Sequence, residues 1–221
     1  LGQLPPGQIL FPELDGDPEW TFVVDGVDHR LERVHESLLT VADGRGGTRG
    51  APSGANGSAS PGVLYAGAYV GKGSSTELAR NADWTRVAVP RKHRRMTRQL
   101  DLRSGLLRED GPLTALRFSS LARPGTVALR VRTEHGDALP SGRRRSVGPV
   151  TLVVRDRRNG GSFERLGAYD PDAAVAEELL AGAEAAGFER LLREQRETWA
   201  RRWRNADVVV EGDAELQRAI R

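Results

Sequence analysis

Glu36 and Asp43 are the residues whose type and spacing could do chemistry together. Cleaving a glycosidic bond uses two carboxyl groups roughly 5 to 10 Å apart. The segment Gly44-Arg45-Gly46-Gly47-Thr48-Arg49-Gly50 follows them, and four glycines and two arginines fill six of its seven positions. Glycine is placed where the backbone must take φ > 0 or approach another surface closely, so this loop has a fixed shape or a mobile one. On composition alone a mobile hairpin is favoured, whereas a folded loop could bring the two carboxylates into range.

Other reaction centres lack their minimum parts. The chain has no Gly-x-Ser-x-Gly elbow, no His-Glu-x-x-His, and no Gly-Lys-Ser/Thr after the glycine-rich loop, so serine hydrolase, zinc protease and P-loop chemistry are not indicated. His29, His35, His93 and His135 are scattered and show no metal-ligand spacing. With zero cysteines, disulfides, thiolate metal sites and cysteine nucleophiles are excluded together, which fits a reducing, cytoplasmic setting. No catalytic, cofactor-binding or metal residue is assigned, and no cofactor is expected.

The elements that would carry these residues are mostly short strands. Trp20 to Val24, Glu36 to Ala42, Val63 to Val70, Trp84 to Val89, Arg98 to Leu102, Ala115 to Ser120, Val127 to Thr133 and Val150 to Val154 are β-branched or alternating runs, nearly all separated by turn residues. Without helical crossovers between them, they argue for a mainly β fold, an antiparallel β-sandwich. Val127, Leu129 and Val131 should face inward while Arg130 and Arg132 face water. Gly50 to Gly62 reads as a long surface loop. Its Asn56-Gly57-Ser58 matches a glycosylation acceptor, which means little without a secretory signal, and none is visible.

At Asp170-Pro171-Asp172 the composition turns helical. Phe188, Leu191, Leu192, Trp199 and Trp203 form one apolar stripe, with Gly187 as a break between two helices and Gln195 falling on the stripe. Val208 to Val210 reads as a short strand ended by Gly212, with Asp213 capping a further helix. The expected organisation is a sandwich over residues 1–169, a C-terminal helical linker over 170–204, and the start of another unit over 205–221.

The charge is lopsided in type more than in amount. Lys72 and Lys92 are the only lysines among 33 basic residues, yet the net charge is only +3. Such a preference for arginine is explained by a GC-rich coding bias. The clusters Arg91 to Arg95 and Arg143 to Arg145 read as solvated loop charge, so no nucleic-acid partner is expected. No apolar run approaches the roughly 20 residues of a membrane span, and no membrane partner is expected either.

Three islands in one order resemble glycoside hydrolase family 65, the trehalose, maltose and kojibiose phosphorylase family. The first is Glu36-Ser37, Asp43-Gly44 and Gly47-Thr48-Arg49-Gly50; the second runs from Leu100 through Asp101, Arg103 and Gly105 to Arg108; the third joins Trp199, Trp203 and Asp207 to Gly212-Asp213. The resemblance implies an N-terminal super-sandwich-like domain, a helical linker and an α/α toroid that carries the catalytic glutamate. It makes Glu36, Ser37, Gly44, Thr48, Arg49, Gly50, Asp101, Arg103, Gly105, Trp199, Trp203, Gly212 and Asp213 structural signature residues. Glu36 would then belong to the sandwich, and Gln195 stands where the family is expected to have histidine.

Two expectations follow. In one, the chain is the non-catalytic N-terminal domain of an inverting enzyme acting on α-glucosides; its partners are its own toroid, a disaccharide, phosphate and a second copy in a homodimer. It would begin inside a longer chain and stop where the toroid begins. In the other, it is a stand-alone β-sandwich module binding carbohydrate or a polyanion. Phe188 and Leu191 are expected on the sandwich, with Trp203 facing the toroid.

Overall fold

Inward-facing valine and leucine on alternate positions, with turn residues between the runs, fold this chain into antiparallel sheets. A computed structural model describes residues 11–12, 14, 16–53, 57–87, 96–133, 145–159 and 162–220. The order is β1 (Thr21–Asp25), α1 (Glu32–Leu38), β2 (Val41–Ala42), β3 (Gly46–Thr48), β4 (Val63–Tyr65), β5 (Tyr69–Val70), a 3-10 turn at Gly73–Ser75 and β6 (Glu77–Leu78). Then come β7 (Thr97–Asp101), β8 (Leu106–Asp110), β9 (Leu113–Ser119), β10 (Thr126–Thr133), β11 (Arg145–Val147), β12 (Val150–Asn159) and β13 (Ser162–Asp170). The chain closes with α2 (Ala173–Ala186), α3 (Phe188–Ala206) and α4 (Ala214–Ile220).

Eight strands form the main sheet in the order β1-β7-β8-β9-β10-β13-β12-β11, while β2-β3-β4 and β5-β6 form two smaller ones. One face of the main sheet offers Leu113, Ala115, Val127, Leu129 and Val131, which pack with Val63, Ala68, Ala82 and Trp84 from the other layer. The opposite face offers Leu116, Phe118, Ala128 and Leu166, which α2 and α3 cover with Ala176, Leu180, Phe188 and Leu191. At the β1 end, Val24, Leu100 and Leu107 enclose Leu39 and Val41. The result is a mainly antiparallel β-sandwich followed by helices, as the sequence indicates.

Several local expectations are corrected. Glu36 lies in α1 and not in a strand, and only Val41–Ala42 of that run pairs. The inward face of α1 is charged, with Glu32 and Glu36 buried while Val34 and Leu38 are exposed. The run from Val63 to Val70 is split between β4 and β5. Trp84 to Val87 forms no strand because the Arg165 side chain, not a neighbouring strand, donates to the Trp84 and Arg86 carbonyls at 2.9 and 2.7 Å. Val208 to Val210 forms none either: the Gln217 amide donates to the Val208 carbonyl and accepts from the Val210 N–H.

Arg130 does not face water. It is 1% exposed, lies 3.9 Å from the Phe188 ring centroid and donates to Glu164 and Glu189, because the helices cover the sheet face that alternation assigns to solvent. Arg132 is exposed as expected. The segment after Gly50 is a loop, as expected, but lies only partly at the surface: Gly57, Ser58 and Ser60 are exposed, whereas Pro52, Ser53 and Ala59 are buried. Arg91 to Arg95, Asn56, His93, His135, Arg143 and Arg144 lie outside the described residues.

Candidate functional site

The face of α1 that carries Glu32 and Glu36, four residues apart, builds a buried polar layer. Arg98 donates to both oxygens of Glu32 at 2.6 and 3.0 Å and to the Gly50 carbonyl at 2.8 Å. Glu36 accepts the N–H groups of Ser58 and Ala59 at 2.6 and 2.7 Å, and its own carbonyl accepts the Gly50 N–H. Glu109 accepts the Ser53 N–H, and Arg117 donates to the Ala51 carbonyl at 2.6 Å. Burial pushes the Arg117 guanidinium below its ordinary range, with Glu109 opposing. A loop that carries few large apolar side chains is thus fixed by charged groups donating to or accepting from its backbone.

The glycine-rich loop hangs from this layer. A side-chain carbon at Gly50 would lie 2.2 Å from the Leu39 Cβ, so only glycine fits against α1 there. Gly44 holds φ +89° in a turn closed by Asp43, whose carboxylate accepts from Arg45, Gly46 and Gly125 N–H groups at 2.7 to 2.8 Å. Thr48 accepts the Trp84 indole N–H, and Arg49 donates to the Pro61 carbonyl and to the Ser37 hydroxyl.

Glu36, Thr48 and Arg49 also line a cleft of about 320 Å³ together with Arg80, Asn81, Asp83, Thr85 and Arg86. Asp43 lines a different void of about 10 Å³, beside Tyr65 and Tyr169. Burial raises the ordinary pKa of both tyrosines, and the Tyr169 hydroxyl donates to the Ala82 carbonyl. The two carboxylates considered as a glycosidase pair therefore line separate spaces, each engaged by backbone amides.

A second group of signature positions meets at the foot of α3. Asp101 accepts the Arg103 N–H and the Ser104 hydroxyl, which tightens the turn into Gly105 at φ +62°. Arg103 pairs with Asp17 at 2.8 Å and lies 4.8 Å from the Trp20 ring centroid. Trp203 meets Trp20 edge-on with centroids 4.9 Å apart and donates to the Leu102 carbonyl, so it docks on the sandwich rather than facing away from it. Trp199 stacks beside Trp203 and fills the space at Gly105. Gln195 is buried, donating to the Ser104 carbonyl and accepting the Leu121 N–H. Gly212, at φ +84°, and Asp213, which caps α4 by accepting the Leu216 N–H, stand apart from both groups.

No family model matches the chain, and no curated protein matches it. Its fold does recur among solved structures. One, described as "Putative kojibiose phosphorylase from human microbiome", aligns with 91% of this chain at 14% identity and a TM-score of 0.70. The chain spans 38% of that structure's length. At this identity the likeness establishes the fold, a β-sandwich with trailing helices.

Glu32, Arg98, Glu109, Arg117, Arg80 and Arg86 escaped the sequence reading. Buried arginines on strands look like outward-facing ones, and only the unusual number of charges within strand runs hints at them. Among the described residues no group of three or more metal-ligating side chains occurs, and no helix is long and apolar enough to cross a membrane.

Proposed function

We propose that this chain is the non-catalytic N-terminal domain of an enzyme of the family 65 type, an inverting phosphorylase or hydrolase of α-linked glucose disaccharides. The observation that carries the reading is the fold match over 91% of the chain to 38% of the protein described as "Putative kojibiose phosphorylase from human microbiome". The engagement of Glu36 and Asp43 by backbone amides supports it, because those carboxylates hold loops. In this reading residues 1–169 are the sandwich, 170–204 a helical linker and 205–221 the start of a toroid that supplies the general acid and binds disaccharide and phosphate. The signature residues Glu36, Arg49, Gly50, Asp101, Gly105, Trp199 and Trp203 then shape the domain and its linker. Its work is bracing the toroid and building an interface, with a homodimer as the assembly to look for.

The test is direct. Purified chain incubated with trehalose, maltose and kojibiose, with and without phosphate, should release no glucose or glucose 1-phosphate above a blank. Release that disappears in a folded Glu36→Gln variant would place the chemistry in this half and overturn the reading. Sequencing the parent gene past Arg221 supplies the complement, since a continuation without a toroid-like helical repeat and a catalytic glutamate removes the enzyme.

A further inference from the structure

The cleft lined by Glu36, Arg49 and the segment from Arg80 to Arg86 is not explained by a bracing role. Three arginines, Arg49, Arg80 and Arg86, are among its lining residues, together with the acidic Glu36 and Asp83. Glu36 is engaged by two backbone amides, and Asp83 accepts both the N–H and the hydroxyl of Thr85 at 2.8 and 2.7 Å. Arg86 stands 3.5 Å from Asp83 with its side chain 55% exposed, a loose contact of small worth. Arg49 is fixed by its bonds to Pro61 and Ser37. The positive charge is therefore the less neutralised of the two.

Asn81, also in the lining, donates its amide nitrogen to the Val63 and Ala79 carbonyls, and its amide oxygen is buried with no hydrogen-bond partner. Buried acceptors are nearly always satisfied, so a small rotation of Asn81 that opens this oxygen to the cleft would let it accept from a hydroxyl of a bound molecule. The volume of about 320 Å³ sits at the small end of ligand pockets, which suits a small molecule. None of the described lining residues is aromatic, which removes the stacking face that a nucleobase would use.

We propose that this cleft binds a small polyhydroxy compound carrying one oxyanion, phosphate or carboxylate, with Arg49, Arg80 and Arg86 on the anion and Asn81 on a hydroxyl. Arginine forks suit both oxyanions. The proposal does not depend on the identity of the parent enzyme.

Isothermal titration of the purified chain with glucose 6-phosphate, glucuronate, glucose and inorganic phosphate tests it. At least one of the two sugar anions should bind with a Kd of about 1 mM or tighter, weakening with added salt. Glucose and inorganic phosphate should each bind about tenfold more weakly, losing one half of the recognition. Arg80→Gln and Arg86→Gln, both at exposed side chains, should each weaken sugar-anion binding about tenfold with an unchanged circular dichroism spectrum. The proposal is overturned by no heat from either sugar anion, by equal binding of glucose or of inorganic phosphate, or by binding that neither substitution alters.

Discussion

Gly105 and Trp199 meet so closely that a side-chain carbon on the glycine would lie 2.6 Å from the indole nitrogen and 2.9 Å from the adjoining ring carbon. The turn of β7 and β8 and the helix α3 are thereby fitted to each other through the absence of a side chain. Gly105→Ala should cost about 1 to 3 kcal/mol, from overpacking together with a β-carbon forced to φ +62°. Urea unfolding followed by tryptophan fluorescence reads this. A midpoint equal to that of the parent chain would mean that α3 is not seated on this turn.

Arg98 and Glu32 form a buried pair in which both side chains are almost wholly out of water. Arg98→Met should destabilise by about 3 to 5 kcal/mol, because Glu32 is left charged and unpaired. Adding Glu32→Leu should restore much of the loss, although the Gly50 carbonyl still lacks its donor at a cost of about 1 kcal/mol. A double variant as unstable as the single one would show that the pair is not what the layer depends on.

Glu36→Gln should weaken the anchoring of residues 58 and 59, since the new amide group turns a donor toward backbone N–H groups that now meet two acceptors. The expected loss is about 1 to 3 kcal/mol, with faster amide exchange at Ser58 and Ala59. Unchanged exchange at both amides would refute the anchoring.

Acid should loosen the helical segment through Glu194. The Arg123 hydrogen bonds hold its carboxyl at about 2, below the ordinary 4.5, with Arg190 adding to the effect. A depressed folded-state pKa contributes stability that is complete above the ordinary value and disappears as pH falls from about 4.5 to about 2. The partly exposed pair is worth about 1 kcal/mol. Denaturant midpoints measured down to about pH 2 should fall less in Glu194→Gln than in the parent chain over that window, and parallel curves would remove the pair as a cause.

The helical half of the fold is legible because local signals and packing agree there. Asp172 accepts the Ala174 N–H as an N-cap should, Gly187 breaks the chain at φ +74°, and the Phe188 stripe enters the core. The first helix is illegible for the opposite reason. Its buried positions are Glu32 and Glu36 and its exposed ones include Val34 and Leu38, so a hydrophobic period points to the wrong face. β13 is missed because Glu164, Arg165 and Gly167 interrupt its apolar positions, and Arg165 is buried with its charge met by Asp156 and its remaining donors by the Trp84 and Arg86 carbonyls. The Arg80 to Arg86 wall of the cleft comes from a segment without regular structure, where no period exists to read.

Gln195 gives the long helix a single permitted axial setting. Its amide donates to Ser104 on one side and accepts from Leu121 on the other, two loops more than a dozen residues apart in the chain. Sliding α3 by one turn, about 5.4 Å, would present Leu191 or Trp199 at that point, and neither can donate and accept at once. The helix therefore behaves as a keyed shaft: a push along its axis cannot be absorbed by slippage and is delivered to the tips of two hairpins in the sandwich.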